Sequence, residues 1–326
     1  MRKQISSLLV LVLCVCAALG GTHVQVQAKA YKGKWRNTEG KKTINWQYDN
    51  RTNRLTISGR RKMDSGHPND EAVPEQPGWK KFSDSIREIV IKEGVENAGE
   101  EMLGSAKNLT SIVLADSVKE IGSCAFGNDA KKLKKINLPP YLEKIGAFAF
   151  EYSGLTEITI PSSVKKIGTN AFCSCDDLRK VIIRPGLKKI GSMAFLYCFK
   201  LKEVILPEGL EVIGELCFEW CALKSVHLPK SLKKLKPRCF CGVPLQKVII
   251  PENVQEIGKE TFCTDTLRRV IIRSKKITHW GKDIFGEGSR DLVIEVPKSR
   301  LKEYRKQLYA KGLPKYVKVI AHKAKK

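Results

Sequence analysis

Lysine and arginine recur at regular intervals in the middle of the chain, where their side chains could bind an anion. One basic ladder follows a recurring leucine and comprises Lys134, Lys135, Arg179, Lys180, Lys202, Lys224, Lys247, Arg268 and Arg269. A second ladder precedes a recurring Ile-Gly step and comprises Lys144, Lys165, Lys166, Lys188, Lys189, Lys233 and Lys234. With a net charge of +25, such ladders favour an anionic partner. Two interpretations stay open, because adjacent bases either neutralise a polyanion or form a solvated face that discourages edge pairing.

The sequence contains no recognisable catalytic constellation. His67, His227, His279 and His322 share no motif with a cysteine or serine nucleophile. The adjacent carboxylates at 176–177 are interpreted as solvated or helix-capping groups. No Gly-rich phosphate loop, His-Glu-x-x-His or Walker motif occurs. The sequence therefore predicts a protein that is not an enzyme, with no cofactor and no nucleic-acid partner.

Most cysteines stand in positions that the repeat predicts to be interior. Cys175, Cys198 and Cys221 lie eight residues after an isoleucine, and Cys217 and Cys239 lie directly before a phenylalanine. Buried cysteine behaves as a small hydrophobic residue, so free thiols are expected. Oxidation between neighbouring turns is the alternative, because stacked Cα atoms about 5 Å apart lie within disulfide range. No metal site is predicted, because the Cys-x-Cys pairs lack a histidine at ligand spacing.

The elements that must position these side chains are repeats of a single short unit. The Ile-Gly step of the unit occurs at Ala98-Gly99, Ile121-Gly122, Ile145-Gly146, Ile167-Gly168, Ile190-Gly191, Ile213-Gly214, Leu235-Lys236, Ile257-Gly258 and Trp280-Gly281. Successive steps are 22 to 24 residues apart. So regular a period indicates a solenoid, in which each unit buries its apolar face only against its neighbours.

One repeat illustrates the predicted structure of all. Ile158 and Ile160 have strand spacing, and Pro161 ends the strand because it has no backbone donor. Gly168 is interpreted as a tight corner with positive φ. Phenylalanines five residues after each isoleucine should form a buried ladder of Phe126, Phe150, Phe172, Phe195, Phe218, Phe240, Phe262 and Phe285. The pattern predicts a β-rich solenoid of nine to ten parallel rungs, from Ile89 to Ile294, capped at both ends.

This pattern resembles the BspA-type family of leucine-rich repeats, whose units read Leu-x-x-Ile-x-Ile-Pro-x-x-Val-x-x-Ile-Gly-x-x-Ala-Phe-x-x-Cys. Residues 86–297 carry the resemblance. Local departures are Leu103 in place of a phenylalanine, Lys236-Pro237 in place of a glycine, and Arg184-Pro185, which displaces a proline. The resemblance implies a leucine-rich-repeat fold and a role in adhesion or in contact with host and cell surfaces.

The segments outside the repeats have different compositions. Residues 1–28 read as a secretory signal peptide, with Arg2 and Lys3 before an apolar run that is shorter than the ~20 residues needed to span a membrane. Residues 29–85 are expected to form a β-rich N-terminal cap, with a flexible loop over 64–78. Residues 298–326 are expected to form a C-terminal cap with a helix, an edge strand and a disordered basic tail.

These features together predict a secreted or cell-surface leucine-rich-repeat protein that is not an enzyme. It would mediate adhesion by binding an extracellular protein or an anionic polysaccharide, without a transmembrane segment once the signal is cleaved. The alternative is a passive structural component of the cell envelope or of a secreted matrix. The repeat fold by itself does not identify the ligand.

Overall fold

The computed structural model describes residues 29–64, 77–103, 107–126 and 129–322. The expected signal peptide, most of the expected loop over 64–78 and the expected tail over 323–326 lie outside the described residues. Within them the chain forms a parallel β-solenoid of about ten turns, which confirms the fold class predicted from the repeat.

An antiparallel meander covers the N-terminal end of the solenoid. Its strands are β1 (Ala30–Trp35), β2 (Ile44–Asp49) and β3 (Arg54–Gly59), and a 3-10 helix follows at Lys80–Ser85. Trp79 packs edge-on against Trp35 and Trp46, with ring centroids 6.0 and 6.2 Å apart. The indole of Trp79 also donates a hydrogen bond of 2.9 Å to the carbonyl of Met102. The meander therefore buries the apolar surface that the first turn would otherwise expose.

Most turns of the solenoid contain one strand of three or four residues, and these long strands stack in parallel. They are β4 (Glu88–Ile91), β6 (Ser111–Leu114), β9 (Glu157–Ile160), β11 (Lys180–Ile183), β13 (Glu203–Ile205), β16 (Lys247–Ile250), β18 (Arg269–Ile272) and β20 (Val293–Val296). In β9, Ile158 and Ile160 are buried, whereas Glu157 and Thr159 are exposed. This period of two is expected for strands with one buried face.

A second strand of two residues follows the long strand in most turns. These short strands are β5 (Asn97–Ala98), β7 (Glu120–Ile121), β8 (Lys144–Ile145), β10 (Lys166–Ile167), β12 (Lys189–Ile190), β14 (Val212–Ile213), β15 (Lys234–Leu235), β17 (Glu256–Ile257) and β19 (His279–Trp280). Ile145 pairs with Ile121 on one side and Ile167 on the other. The isoleucine of the Ile-Gly step thus forms its own file beside the phenylalanines.

Two of the predicted rungs do not form strands. Within the described chain, no strand is assigned over 134–138 or 224–228, and the long sheet is consequently divided into three parts. Most rungs begin with a leucine, here called the rung leucine, which is Leu133 or Leu223 in these two segments. The fourth residue after it is Asn137 or His227, whereas most other rungs carry valine, threonine or isoleucine there. Asparagine and histidine lack the β-branching that favours strand structure. The predicted number of turns is confirmed, but two of the rungs expected between Ile89 and Ile294 form no strand among the described residues.

The eight phenylalanines of the repeat lie in one buried file. Successive ring centroids from Phe126 to Phe285 are 5.2 to 6.2 Å apart. From Phe150 onwards, adjacent ring planes lie within 13° of parallel. Each ring is at most 2% exposed. Since every ring has a neighbour on both sides except at the ends of the file, the file couples all the turns through aromatic packing.

The glycines of the Ile-Gly step do not have positive φ, so the interpretation as left-handed corners was wrong. They are required because adjacent turns approach closely at this point. A Cβ atom on Gly191 would lie 2.5 Å from the carbonyl oxygen of Ile167, and one on Gly146 would lie 2.5 Å from a backbone carbon of Gly122. Real Cβ atoms do not approach backbone so closely, which explains why glycine recurs here.

Positive φ angles occur instead two residues before and two residues after the core phenylalanine. Around Phe195 they are 57° at Met193 and 59° at Tyr197. The N–H groups of alternate residues consequently point toward the next turn. Met193, Phe195 and Tyr197 donate hydrogen bonds of 2.7, 2.9 and 3.1 Å to carbonyls of the next turn. The turn side of the solenoid is thus linked by backbone hydrogen bonds, as its two sheets are.

The C-terminal segment closes the other end of the stack. It contains a 3-10 helix at Lys298–Arg300, the helix α1 (Leu301–Ala310) and the strand β21 (Lys318–Ala321), which pairs in parallel with β20. Tyr304 is fully buried, contacts Trp280 edge-on at 4.9 Å and accepts a hydrogen bond from the N–H of Ile277. The N–H of Asp283, on the turn side, donates to the carbonyl of Lys311. The cap thus satisfies backbone donors that have no further turn to bind.

Replacing Phe195 by alanine should lower the free energy of unfolding by ~3–5 kcal/mol, because it opens a cavity inside the aromatic file. Phe199→Ala is the matched control, since Phe199 is 56% exposed. It should cost about 1 kcal/mol or less. Chemical denaturation followed by circular dichroism measures both. Equal losses from the two variants would contradict a core made by the file.

Gly191→Ala and Gly99→Ala test the close approach of turns at the same position of two repeats. A Cβ on Gly191 meets backbone at 2.5 Å, whereas one on Gly99 has its nearest neighbour at 3.8 Å. Gly191→Ala should cost about 1–3 kcal/mol. Gly99→Ala should leave stability unchanged or raise it by about 0.4–1 kcal/mol, because alanine restricts the unfolded chain. Comparable losses in thermal unfolding experiments on both variants would mean that backbone spacing is not the reason for glycine.

Candidate binding surface

The outward side of the long strands, here called the outer sheet face, is the surface on which the predicted basic ladder lies. The structure separates that ladder into two files. Bases at the first residue after the rung leucine lie at the strand entrances and are Lys134, Arg179, Lys202, Lys224 and Arg268. Bases at the second residue lie on the outer sheet face itself and are Lys135, Lys180, Lys247 and Arg269. All are exposed except Lys180, which is half-buried.

Some of these bases are neutralised by acids from neighbouring turns. The ammonium of Lys180 lies 2.9 Å from the carboxylate of Glu203 in the next strand, and Arg269 lies 2.6 Å from Glu295. Arg268 donates to the backbone carbonyl of Asp265. The two acids stand at different repeat positions, because Glu203 lies in register with Lys180 whereas Glu295 lies in register with Ile271.

Other bases on the same side have no acidic partner. Within the part of the chain that the structure describes, no ion pair is formed by Lys135, Arg179, Lys202, Lys224 or Lys247. They are all exposed and belong to turns that stack at the spacing of neighbouring strands, about 4.8 Å. The potential of this side is therefore positive and is not cancelled locally.

The second predicted ladder, on the short strands, is largely interleaved with glutamates. Glu211 accepts hydrogen bonds from Lys188 and Lys233, which lie one turn before and one turn after it. The hydrogen bond from Lys233 is the main reason that the pKa of Glu211 is lowered. Glu120 similarly bridges Lys62 and Lys144. This ladder is consequently a weaker candidate for binding a polyanion than the outer sheet face.

Asp177 shows how strongly a bridging acid is held. It accepts hydrogen bonds of 2.7 Å from Lys134 and 2.9 Å from Lys200, which belong to the turns on either side. These two hydrogen bonds lower the pKa of the Asp177 carboxyl from its ordinary 3.8 to about 2. The sequence interpretation of Asp177 as a solvated or capping group missed this bridge, because it joins residues about two repeats apart.

The outer sheet face also carries an apolar file that the sequence reading missed. Ile182, Ile205, Ile249 and Ile271 point outward at the fourth residue after the rung leucine. Ile205 is 45% exposed. The signal was present in the Val-Ile-Ile runs, where a third apolar residue breaks the alternation expected of a half-buried strand. The face thus combines basic heads with apolar contact area.

A recess lies on this face at the interrupted rung 224–228. Its volume is about 440 Å³, and it is lined by the segment 224–230, by β16 with the residues that flank it, and by Arg273. Its charged lining comprises Lys224, Lys230, Lys247, Arg273 and Glu252. The interruption at 134–138 leaves a smaller hollow of about 230 Å³ with one lysine and one glutamate. Both hollows lie at interrupted rungs, but their charged linings differ.

The cysteines do not supply a reactive centre. The nine cysteines within the described residues are free thiols, and seven are buried. The thiols of Cys175, Cys198 and Cys221 each donate a hydrogen bond of 3.2 Å to the backbone carbonyl of the core phenylalanine in the preceding turn. Burial raises the pKa of the Cys241 thiol to about 12, which leaves little thiolate at neutral pH. No group of three or more potential metal ligands occurs among the described residues.

No helix among the described residues is long and apolar enough to cross a membrane. The helix α1 has ten residues and carries charges along its exposed side. The cap it belongs to packs against the solenoid core through Tyr304 and Leu308.

The sequence and the fold are both similar to known proteins. The family model for the BspA type leucine rich repeat region matches in six copies, over residues 96–221 and 188–309. No curated protein matches the sequence. A leucine-rich repeat protein from Bacteroides ovatus is 26% identical, with a TM-score of 0.60 over 86% of this chain and 78% of that one.

Two further solved structures are more distant. A leucine-rich repeat protein from Eubacterium ventriosum is 19% identical, with a TM-score of 0.44 over 82% of this chain and 78% of that one. A leucine rich cell surface protein from Faecalibacterium prausnitzii is 15% identical, with a TM-score of 0.35 over 87% of this chain and 94% of that one.

The bridge at Asp177 predicts a specific pH dependence. A carboxyl whose pKa is lowered by folding stabilises the protein above its unfolded pKa, and this contribution is lost as the pH falls through its folded pKa. The wild type should therefore exceed Asp177→Asn in unfolding free energy by the largest amount above pH 3.8. This difference should disappear as the pH falls through about 2. Urea denaturation at several pH values measures it. A difference that stays constant over this range would contradict the bridge.

Proposed function

The chain belongs to the BspA-type leucine-rich repeat family, and we propose that it is a non-enzymatic protein of the cell surface or the extracellular medium. On this proposal it mediates adhesion by binding a polyanionic glycan along the outer sheet face. The observation that carries the proposal is the set of exposed, unpaired bases on that side, Lys135, Arg179, Lys202, Lys224 and Lys247.

Two physical features of the face support a polyanion as the ligand. Arg179, Lys202, Lys224 and Lys247 lie in four successive turns, so several bases are within reach of one extended polymer. A polymer with regularly spaced anionic groups can engage several of them together and release several counterions. The solenoid is held by backbone hydrogen bonds on all its sides, so the bases need little ordering of the backbone on binding.

The proposal that the protein is not an enzyme has separate support. Burial raises the pKa of the Cys221 and Cys241 thiols, which disfavours the nucleophilic thiolate, and the described histidines lie in different turns of the structure. A nucleophile and base within hydrogen-bond reach of one another are what acyl-transfer chemistry requires. Location outside the cell is proposed from Arg2, Lys3 and the apolar run that follows them.

An extracellular protein is the second candidate ligand, and a different surface favours it. On the turn side, Tyr197, Phe199 and Trp220 are 40%, 56% and 51% exposed. Tyr197 and Phe199 stack with ring centroids 5.8 Å apart, and φ is 60° at Trp220. Bulky residues are disfavoured at such φ values, and exposed aromatic clusters are typical of protein contacts. This surface lies apart from the outer sheet face, so the two ligands can be tested separately.

Heparin affinity chromatography tests the polyanion proposal. The first variant changes Arg179, Lys202, Lys224 and Lys247 to glutamine, and the control changes Lys119, Lys165, Lys166 and Lys189 on the short-strand side. Each lowers the net charge by four. The first variant should elute at much lower salt than the control, because local groups and not net charge determine multivalent binding.

Equal shifts in elution salt would mean that only net charge matters. The bases would then form a solvated face, and the alternative of a passive component of the envelope or matrix would be favoured. Retention of both variants at the wild-type salt concentration would exclude the outer sheet face as the binding surface.

A further inference from the structure

We propose that the recess at the interrupted rung 224–228 binds one acidic sugar unit, a pyranose that carries a sulfate, phosphate or carboxylate group. The inference rests on the proposed function and assigns a specific site within the outer sheet face. The recess has a volume of about 440 Å³, within the range of about 300–1,000 Å³ that is usual for small-ligand pockets.

The recess lies at a rung where the long sheet is not continuous. β13 and β16 belong to separate sheets, and the described segment between them forms no strand. Backbone N–H and C=O groups that pair with a neighbouring turn elsewhere are therefore available at this point. Such groups need hydrogen-bond partners from water or from a ligand. Sugar hydroxyls, which donate and accept, match both kinds of group.

The charge of the recess is not balanced by the protein. Lys224, Lys230 and Lys247 form no ion pair among the described residues, and Arg273 is 3.9 Å from Glu252. On the short-strand side, by contrast, Glu211 bridges the bases Lys188 and Lys233 of the turns on either side of it. Adjacent like charges repel. A bound anion would relieve this repulsion in the recess, as a glutamate does between lysines on the short-strand side.

The uncharged lining adds recognition that a simple ion would not use. Val226, Ile249 and Pro251 provide an apolar wall, and Ser225, His227 and Gln246 provide polar groups. The apolar face of a pyranose ring can pack on the wall, while its hydroxyls meet the polar groups. An acidic sugar unit is therefore favoured over an inorganic anion, which would contact only the bases.

Two other hollows on the same face provide comparisons. The hollow at 134–138 also arises from an interrupted rung, but its charged lining is one base and one acid, Lys135 and Glu157. The hollow on the N-terminal meander has about the same volume as the recess, about 450 Å³, and carries Lys32, Lys34 and Lys92. The meander strands are fully paired there. The meander hollow therefore resembles the recess in net charge but lacks an interrupted rung.

Isothermal titration calorimetry with a heparin tetrasaccharide tests the assignment. The recess variant carries Lys224→Gln, Lys247→Gln and Arg273→Gln, and the control carries Lys32→Gln, Lys34→Gln and Lys92→Gln, so the net charge falls by three in each. The recess variant should bind at least about tenfold more weakly, since a hydrogen bond to a charged group contributes about that factor. The control should keep the wild-type affinity within about threefold, because charges beyond a Debye length of about 8 Å are screened.

Ser225→Tyr tests shape without a change of charge. A larger side chain at this exposed position should fill the recess and weaken tetrasaccharide binding, whereas the elution of the protein from a heparin column should change little, because the remaining bases still engage the polymer. Circular dichroism and the melting temperature of each variant establish that the fold is retained.

Several outcomes would overturn the assignment. One is an equal loss of tetrasaccharide affinity in the recess variant and the control; another is wild-type affinity in both the recess variant and Ser225→Tyr. If the column assay still depends on the outer sheet face in that case, the proposed function survives and only the recess fails. Binding of inorganic sulfate as tightly as the tetrasaccharide would contradict recognition of a sugar. Parallel titrations with a sugar phosphate and an oligoglucuronate identify which anionic group the recess takes.

Discussion

The constraint on which the structure depends is the short distance between adjacent turns. Backbone hydrogen bonds set this distance along the long strands, the short strands and the turn side. The Ile-Gly step lies where two backbones approach so closely that a Cβ atom on Gly191 would meet a carbonyl oxygen at 2.5 Å. The same distance lets the rings of the aromatic file stack at 5.2 to 6.2 Å. Core packing and backbone pairing are therefore two consequences of one repeat distance.

The same constraint governs the charges. A repeat places equivalent side chains beside one another in successive turns, so a basic position in one turn tends to face a basic position in the next. The protein relieves much of this repulsion with acids that bridge turns, such as Asp177 between Lys134 and Lys200. Bases without a bridge remain on the outer sheet face, and Lys224 and Lys247 lie where the sheet is interrupted. The proposed binding surface is thus the part of the charge pattern that the protein does not neutralise itself.

The interrupted rung 224–228 adds free backbone groups to one concave site of the solenoid. Fully paired strands can also flank a hollow, as on the meander, but their backbone groups are already bonded to one another. Where pairing fails over 224–228, the surface gains a recess and the neighbouring backbone gains free hydrogen-bonding groups. The cost in lost pairing is local, because the aromatic file runs uninterrupted past this point through Phe218 and Phe240. Within this turn, the aromatic file stabilises the core, while the long-strand side forms the recess.

Much of the fold could be predicted from the sequence, because a repeat converts local spacing directly into three-dimensional stacking. The period of the Ile-Gly step predicted the solenoid, and residues such as Ile158, Ile160 and Phe172 indicated which side chains face inward. These inferences depend only on the position of a residue within its own unit.

The relations between units could be determined only from the tertiary structure. The bridge from Asp177 to Lys134 and Lys200 joins three turns. Only such contacts show which bases have an acidic partner and which do not. Asn137 and His227 weaken strand structure locally, but the pairing that is lost there is between a rung and its neighbours and is visible only in the stacked turns. The role of Gly191 also changed, from a presumed left-handed corner to a point of close contact with Ile167 one turn away. Repeat spacing specifies which residues lie in one file, but hydrogen bonds, ion pairs and steric contacts between files depend on distances that exist only after the turns have stacked.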